Sequence, residues 1–502
     1  MIYGDMINRW AKASPDKEAL FDTIENRRYS YGQLAQEINK MAHFLQTDLG
    51  IAKGDRVACL ALNRAEYIIL FFGLGRLGAM MVPLNFRLAK NEFIYFLEDA
   101  TPKAIFIDQE HQDIINRLKA DIQLPHYVCF DDDDTVGASL PSCWSQLPVD
   151  DVPEVSIESQ DPQLIIYTSG TTGLPKGVLL TYGMLTWNAI NTIQGWDMRS
   201  SDRTILHAAM FYTAGWNVFT LPLFNCRGSN ILIRSFEPDL ILDLMDREKV
   251  SVFFGVPTMF QMLIDAPRFA STSFDHIRFM VSGGAPMSRD IFDIFKEKKN
   301  IRIWEGYGLT EVGPNNFMAN GKLGTIGHPM PYVDVRLINP DGKEVAPGEE
   351  GEILLRGPNV CAGYLNKPEA TAEAIQDGWF HTGDLGRIDD DGHMAIAGRL
   401  KDMFISGGVN IYPAEIERVI EAHPVVAGAA VIGVPDERWG EVGKAIVEVK
   451  AGKSLTLEDL LDYLKDRIGK FKIPKYLEVV DVLPRTPASG KIQKFVLKSK
   501  FS

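Results

Sequence analysis

The sequence YTSGTTGLPKG occupies residues 167–177 and follows directly on the apolar segment Leu164–Ile166. Its three glycines let the backbone turn so that N–H groups converge, its hydroxyl side chains add donors, and Lys176 adds a positive charge. Together these features suit a polyphosphate. The Walker A spacing GxxxxGK[ST] is not met, and Ser169 lacks the GxSxG frame of a hydrolase nucleophile. We therefore predict a strand that leads into a phosphate-binding loop of another kind; a tight turn without a ligand is the alternative.

Short apolar segments alternate with helical patterns on both sides of this loop. The upstream series consists of the strand-like segments Val57–Leu62, Met80–Pro83 and Lys103–Ile107 and the helical segments Glu66–Leu77 and Asn91–Leu97. The downstream series consists of the strand-like segments Thr204–Ala208, Ser229–Ile233, Val252–Gly255, Phe279–Ser282 and Arg302–Trp304. Such alternation predicts parallel strands covered by helices. We expect an α/β fold in which two similar subdomains form one large domain.

After Gly306 the sequence changes, because Gly and Pro residues begin to interrupt the apolar segments. Val333–Ile338 and Glu352–Arg356 are short strand-like segments of this kind. They predict a third, β-rich subdomain.

A compact α+β unit follows at the end of the chain. Pro413 begins a predicted helix, Ala429–Val434 and Lys444–Val449 are predicted strands, and a second helix is expected from Leu457 to Ile468. We place the boundary at Lys401. The sequence thus predicts a large N-terminal domain over residues 1–400 and a small, mobile C-terminal domain over residues 401–502.

The composition limits the classes of partner. Lys and Arg number 52 against 66 Asp and Glu, which gives a formal net charge of −14. Such a surface repels nucleic acid and anionic lipid. The longest apolar run, Ile68–Leu74, is too short to span a bilayer, and Met1–Asp5 does not begin a secretion signal. Five scattered cysteines without a CxxC pair predict reduced thiols, and we expect a cytoplasmic protein.

Four further motifs follow the loop in order. They are YGLTE at residues 307–311, TGD at 382–384, GRLKD at 398–402 and PRTPASGK at 484–491. With the loop, they resemble the adenylate-forming superfamily, which groups acyl-CoA synthetases, firefly-type luciferases and the adenylation domains of peptide synthetases. The resemblance spans nearly the whole chain. It implies activation of a carboxylic acid by ATP, followed by transfer of the acyl group to an acceptor.

The resemblance assigns the nucleotide site. Glu311, with Thr310 beside it, is expected at the phosphates, where one carboxylate suits Mg²⁺ when phosphate oxygens complete its shell. Asp384 can accept hydrogen bonds from both ribose hydroxyls, with an Asx turn as the alternative, and the Gly-Ala-Pro segment would otherwise be an ordinary loop. The residues assigned to ATP or AMP are Thr168, Ser169, Gly170, Thr171, Thr172, Gly173, Lys176, Gly284, Ala285, Pro286, Tyr307, Asp384 and Arg399.

The same resemblance assigns residues of the C-terminal domain. Lys491 is the expected catalytic lysine, because attack of a carboxylate on the α-phosphate builds negative charge that a cation can stabilise. Lys401 is the expected hinge between the two half-reactions. The residues expected to contact CoA are Gly407, Gly408, Lys470 and Lys472. The residues alone leave an alternative for each assignment. Lys491 would belong to a solvated basic tail, Lys401 would be an exposed charge in a linker, and Lys470 and Lys472 would lie in a solvated basic turn.

An apolar, partly aromatic pocket is expected for the acid. Its predicted walls are Phe211, Tyr212, Trp216, Phe254, Val256, Gly306, Gly308 and Pro314, with Gly313 and Asn315 extending them. No acidic residue occurs at 210–216 to pair a substrate ammonium, which disfavours an amino acid. Many acyl-CoA synthetases have a histidine where this chain has Tyr212. His207 is interpreted as a residue at a strand end, with replacement of that histidine as the alternative.

These observations predict an AMP-forming acyl-CoA synthetase that uses Mg²⁺, ATP and CoA on an aromatic, alicyclic or medium-chain acid. Two alternatives stay open on sequence. One is a luciferase-like oxidoreductase that oxidises its acyl-adenylate, and the other is an inactive binding homologue. A homodimer is also compatible with the sequence.

Overall fold

The computed structural model describes residues 5–132, 135–168, 174–406, 409–465, 467–485 and 492–501. Residues 169–173 of the predicted phosphate loop lie outside this set, as do Gly407, Gly408 and Lys491. Among the described helices, none combines the length and the apolar character needed to cross a bilayer. The five cysteines form no disulfide.

A seven-stranded sheet organises the first part of the chain. In spatial order its strands are Ala138–Ser139, His126–Cys129, Ala104–Ile107, Arg56–Leu60, Met80–Pro83, Pro162–Thr168 and Lys176–Thr181. Neighbouring strands are parallel except for the last pair, which is antiparallel. The helices of this part are Met6–Ala13, Tyr31–His43, Ala65–Leu77, Lys90–Ala100, Gln112–Leu118 and Pro141–Trp144. Its central strands are buried, as expected for parallel strands with both faces covered.

Two smaller sheets form the second α/β subdomain. The first has the order Arg203–Leu206, Ser229–Leu232, Glu18–Asp22 and Arg27–Ser30. The second has the parallel strands Val252–Gly255, Phe279–Ser282 and Ile303–Glu305. The helices here are Tyr182–Gly195, Thr213–Asn217, Thr220–Asn225, Pro238–Arg247, Pro257–Asp265 and Arg289–Lys299. The predicted arrangement of two α/β subdomains is confirmed.

A β-rich subdomain follows, as the sequence predicted. Its sheet has the antiparallel order Asp334–Ile338, Glu350–Arg356, Trp379–Ile388 and Ile375–Gln376, with Met394–Arg399 paired to Trp379–Ile388. Phe317–Met318 and His328–Pro329 form a short ladder, and Pro368–Ala374 is helical. This sheet places the TGD and GRLKD motifs on neighbouring strands.

The last part of the chain has its own sheet and two apolar clusters, built by residues from Phe404 onward. The strands are Val409–Ile411, Phe404–Ser406, Gly440–Val449, Val426–Asp436 and Tyr476–Val480, and the helices are Pro413–Glu421, Leu457–Leu464 and Lys494–Phe501. The predicted end of the middle helix at Ile468 was wrong, because the α-helix ends at Leu464. The α/β class with a large N-terminal and a small α+β C-terminal part is confirmed, whereas the boundary at Lys401 stays a prediction.

Candidate functional site

The predicted phosphate loop is carried by an antiparallel pair of strands. Thr168 ends the strand Pro162–Thr168, Lys176 begins the strand Lys176–Thr181, and the two residues are register partners. The loop therefore leaves and re-enters the sheet at adjacent positions. Residues 169–173 themselves lie outside the described residues.

Glu311 lies against the first stem of this loop. It is part of the 3₁₀ turn Thr310–Val312, and its Oε1 accepts hydrogen bonds from Thr168 Oγ1 at 3.4 Å and from the Tyr364 hydroxyl at 3.1 Å. Burial raises the pKa of the Glu311 carboxyl, and hydrogen bonds from its own backbone, Tyr364 and Thr168 oppose that rise. The structure thus brings Glu311 and Thr168 together, as the motifs predicted.

Tyr364 was not predicted from the sequence. Its hydroxyl contacts Glu311, and the Lys176 ammonium lies 5.0 Å from the centre of its ring. Its backbone bridges to Val178, so the segment around it lies along the outer edge of the loop hairpin. Tyr364 therefore connects the two charged residues that the sequence placed at the phosphates. The local sequence Gly-Tyr-Leu-Asn around Tyr364 contains no pattern that indicates a role in a binding site.

The donor set around Glu311 fits a magnesium ion. Both hydrogen bonds described for this carboxylate go to Oε1, and its neighbours Thr168 and Tyr364 are oxygen-bearing side chains. Mg²⁺ is typically held by one or two carboxylates together with substrate phosphates. Glu311 is accordingly the residue that would hold it, beside Thr168.

A second cluster surrounds Asp384. Asp384 and Arg399 are register partners on neighbouring strands, with Arg399 Nε 2.9 Å from Asp384 Oδ1. The Tyr307 hydroxyl donates to Asp384 Oδ2 at 2.8 Å. Burial, followed by the Asp384 charge, raises the pKa of Tyr307, so its hydroxyl stays protonated and can donate. Three residues from three separate motifs thus meet at one buried carboxylate.

The segment Gly284–Pro286 lies at the end of the strand Phe279–Ser282. Gly284 has φ +79°, a conformation that glycine adopts readily. Directly after the segment, Met287 N–H donates to Glu305 Oε1 at 3.1 Å, while Glu305 Oε2 accepts from Gly324 N–H at 2.6 Å. Burial raises the pKa of Glu305. This half-buried carboxyl holds the backbone directly after a segment that the sequence alone allowed to be an ordinary loop.

Part of the predicted acid pocket is brought together. A side chain at Gly283 would meet the Phe254 ring at 3.2 Å, and one at Gly284 would meet Val256 at 3.8 Å. Gly306 N–H donates to Ser282 O at 2.8 Å, which brings Gly306 beside the same strand end. A side chain at Gly308 would lie 2.3 Å from Gly313 O and would also meet Pro314, so only glycine fits there.

Phe211 and Tyr212 form an aromatic group with a residue that was not predicted. Their rings lie 4.4 Å apart, and Phe86 packs edge-on against Phe211 at 5.3 Å. Asn85 Nδ2 donates to the Tyr212 hydroxyl at 3.2 Å. The loop after the strand Met80–Pro83 thus supports Tyr212.

Trp216 packs its ring against a different set of aromatic residues. Its ring is fully buried against Phe71 at 4.5 Å and Tyr67 at 6.0 Å, and its Nε1 donates to Met210 O at 2.6 Å. The short helix Thr213–Asn217 turns it into the core of the first subdomain. The ring of Trp216 thus packs in this core, while its Nε1 bonds the carbonyl directly before Phe211.

His207 follows the strand Arg203–Leu206 and is buried. Its Nε2 lies 2.7 Å from Phe254 O, and because a carbonyl only accepts, this nitrogen carries the proton. Burial lowers the pKa of His207 to about 4, so the ring is neutral. The ring packs between Phe236 and Phe253. His207 thus lies at the end of one strand and bonds the backbone of the strand Val252–Gly255.

Of the residues predicted in the C-terminal part, the structure describes Lys401, Lys470 and Lys472, which lie in two turns. Lys401 is exposed in the 3₁₀ turn Leu400–Asp402, and Lys470 is exposed in the turn Lys470–Lys472. Lys472 Nζ contacts both carboxylate oxygens of Glu415 at 2.7 Å. Gly407, Gly408 and Lys491 lie outside the described residues, so their assigned roles stay predictions.

Two family models match this chain. Residues 7–365 match the AMP-binding enzyme family, and residues 415–491 match the C-terminal domain of AMP-binding enzymes. Together they include the phosphate loop, YGLTE and PRTPASGK, whereas TGD and GRLKD lie between the two matched ranges.

Named relatives and a solved structure agree with these matches. A feruloyl-CoA synthase from Amycolatopsis sp is 39% identical over 94% of this chain and 94% of its own. The long-chain-fatty-acid–CoA ligase FadD13 of Mycobacterium tuberculosis is 36% identical over 99% of this chain and 98% of its own. The crystal structure of ATP-bound MatB from Rhodopseudomonas palustris has a TM-score of 0.90 and 33% identity, and covers 99% of both chains.

Proposed function

The chain belongs to the family of AMP-binding enzymes, within the adenylate-forming superfamily, and from that premise we propose that it is an AMP-forming acyl-CoA synthetase for an aromatic carboxylic acid. The observation that carries the activity is the meeting of Glu311, Thr168 and Tyr364 at the stem of the phosphate loop. Two of its relatives are named as a CoA synthase and a CoA ligase. The reaction has two half-reactions, which require different groups.

In the first half-reaction, a carboxylate oxygen of the acid attacks the α-phosphorus of ATP and the bond to pyrophosphate breaks. Lys176 and the loop N–H groups bind the leaving phosphates, and Glu311 would hold Mg²⁺, which neutralises phosphate charge when bound. Asp384 accepts hydrogen bonds from the ribose, in place of or beside its contacts with Tyr307 and Arg399. Lys491 stabilises the charge that develops at the α-phosphate.

In the second half-reaction, the thiol of CoA attacks the acyl carbon, AMP leaves, and the thiol proton is released. A carboxylate does not accept a thiol directly, because oxide is a very poor leaving group, whereas the adenylate expels AMP readily. We propose that Lys401 is the hinge on which the C-terminal domain turns between the two steps, with Gly407, Gly408 and Lys470 contacting CoA. In the conformation that forms the thioester, Lys472 would release its ion pair with Glu415 and contact CoA.

An aromatic acid is proposed on the composition of the pocket. Three of the predicted wall residues, Phe211, Tyr212 and Phe254, are aromatic, and the rings of Phe211 and Tyr212 lie 4.4 Å apart, which suits an aromatic substrate. The relative named feruloyl-CoA synthase supports the same class. A fatty acid is the second candidate, because an apolar pocket discriminates weakly between acids and FadD13 is a relative of similar identity.

The test is pyrophosphate release with a panel of aromatic, alicyclic, medium-chain and long-chain acids, each with and without CoA. We expect AMP and a thioester in equal amounts, only when CoA is present, with the highest kcat/KM for an aromatic acid. A preference for long-chain acids would overturn the substrate class and leave the activity intact. Oxygen consumption without a thioester would favour the luciferase-like alternative, and no turnover with any acid would favour an inactive homologue.

A further inference from the structure

One helix contacts both stems of the phosphate loop. The helix Lys90–Ala100 carries Asp99, whose Oδ2 accepts a hydrogen bond from the Tyr167 hydroxyl at 2.7 Å. It also carries Tyr95, whose hydroxyl donates to Pro175 O at 2.9 Å. Tyr167 lies in the strand that enters the loop, and Pro175 directly precedes the strand that begins after it. The two hydrogen bonds therefore connect the entry and the exit of the loop to a single rigid element.

Packing supports both contacts. The Tyr167 ring stacks on Phe96 of the same helix, with ring centres 4.1 Å apart and planes 15° from parallel. Phe96 in turn packs edge-on against Tyr95 at 5.9 Å. The stacked ring directs the Tyr167 hydroxyl along the helix toward Asp99. One aromatic residue between the two polar contacts thus orients both of them.

Asp99 is itself held from a third side. Asn366 Nδ2 donates to the Asp99 backbone carbonyl at 2.9 Å, and Lys367 Nζ lies 4.0 Å from its carboxylate. Asn366 and Lys367 directly follow the segment that places Tyr364 beside Glu311 and Lys176. The helix Lys90–Ala100 is therefore connected both to the loop stems and to the segment at the other side of the phosphate site.

A loop rich in glycine and small hydroxyl residues needs such support. Glycine loses more conformational freedom on ordering than other residues, so ordering a Gly-rich sequence around a phosphate has a high entropic cost. Fixing the two stems lowers that cost before the ligand arrives, since preorganisation improves affinity without a new contact. The helix provides this support although none of its residues belongs to the loop.

We propose that Tyr95 and Asp99 are positioning residues for ATP, which act by holding Pro175 and Tyr167 at the two ends of the phosphate loop. This inference rests on the ATP-dependent half-reaction proposed above. It predicts an effect confined to that half-reaction, because the β- and γ-phosphates have left the enzyme before CoA reacts.

The test compares Tyr95→Phe with Tyr127→Phe as a matched control. In the same subdomain, the Tyr127 hydroxyl donates to Ile122 O at 3.2 Å and accepts from Leu124 N–H at 3.1 Å, so the control removes a tyrosine hydroxyl that bonds to backbone away from the loop. For Tyr95→Phe we expect ATP affinity, measured by calorimetry without acid, to fall about fivefold, as for loss of one hydrogen bond. KM for the acid and the rate of thioester formation from supplied acyl-AMP should match the wild type, and Tyr127→Phe should match it throughout.

Asp99 provides an independent test by conservative rescue. Asp99→Ala removes the nearer acceptor of the Tyr167 hydroxyl, at 2.7 Å, and leaves only the Phe96 carbonyl at 3.5 Å, so it should weaken ATP binding to a similar degree. Asp99→Asn retains an acceptor oxygen and should restore most of the affinity. Unchanged ATP affinity in Tyr95→Phe and Asp99→Ala, or equal losses in both half-reactions, would overturn the inference. Because calorimetry needs no acid, these results can be read even if the wild type forms no thioester, which would contradict the proposed function alone.

Discussion

Asp384 and Arg399 are paired across adjacent antiparallel strands, with Arg399 Nε 2.9 Å from Asp384 Oδ1. Tyr307 occupies the other carboxylate oxygen at 2.8 Å. A ribose that binds Asp384 therefore meets a carboxylate whose orientation is already fixed from two sides. Hydrogen bonds to charged groups contribute more than those between neutral groups, which makes this carboxylate a sensitive position.

Asp384→Asn should weaken ATP binding by about tenfold or more, because the acceptor loses its charge and its pairing with Arg399. Calorimetry with ATP measures the loss. Asp389→Asn is the matched control, since Asp389 lies in the following turn and pairs with exposed Lys322. Equal ATP affinities of the two variants would contradict a ribose-binding role for Asp384.

Tyr364→Phe should raise the Mg²⁺ concentration that gives half-maximal adenylation by roughly tenfold, as for loss of a hydrogen bond to a charged group. The hydroxyl on Glu311 is lost, while the ring beside Lys176 is kept. Titration with Mn²⁺, followed by its paramagnetic signal in the presence of ATP, measures metal binding apart from turnover. Tyr332→Phe, which alters an exposed tyrosine, is the control. An unaltered metal titration would show that Tyr364 does not support Glu311.

The strands near the site were predictable because each is a local apolar run. Val252–Gly255 and Phe279–Ser282 have the bounds that their sequences predict, as expected for short parallel strands buried on both faces. The hairpin of Glu18–Asp22 and Arg27–Ser30 was not predicted. Its sheet partner Ser229–Leu232 lies some two hundred residues further along the chain, and a local sequence pattern does not predict such a pairing.

The site residues likewise divide into those that a local motif identified and those that long-range packing determined. Glu311, Asp384 and Arg399 stand in motifs, so the sequence identified them before their contacts were known. Trp216 is close in sequence to Tyr212, but the intervening helical turn directs its ring into the core. Tyr364 is near the site only because its segment pairs with Val178. Proximity in sequence failed where a turn or a long-range strand pairing determined the direction of a side chain.

Lys491→Ala should reduce adenylate formation by a factor of roughly 10²–10³, the loss typical when one group that stabilises transition-state charge is removed. Thioester formation from supplied acyl-AMP should be largely kept. Stopped-flow or quench measurement of each half-reaction tests this, with Lys500→Ala in the same basic terminal region as the control. Equal loss in both half-reactions would contradict the assigned role.

Lys401→Pro should keep adenylation and block thioester formation. Lys401 lies in the turn Leu400–Asp402, and proline there fixes φ and restricts Leu400, so the backbone cannot take a second conformation. Lys401→Ala, which changes the side chain and leaves the backbone free, should retain both steps. A proline variant that forms thioester at the wild-type rate would exclude a hinge at this residue.

His207 should make the stability of the protein depend on pH. Its pKa is lowered from 6.5 to about 4 by burial, and Nδ1 has no hydrogen-bond partner among the described residues. Between these values the unfolded chain binds more protons than the folded chain, so stability is complete above pH 6.5 and falls as the pH drops toward 4. The neutral His207 side chain should account for a loss of roughly 2 kcal/mol between pH 7.5 and pH 5.

His207→Gln isolates this contribution from that of other titrating groups. The glutamine amide can still donate to Phe254 O, but it binds no proton in this range, so the free energy of unfolding of the variant should fall less on acidification. Urea unfolding of both proteins at pH 7.5 and pH 5 gives the change in the free energy of unfolding of each protein, and the two changes are then compared. The same pH dependence in both proteins would mean that His207 gains a proton without unfolding the chain, and that its ring is less enclosed than its contacts with Phe236 and Phe253 indicate.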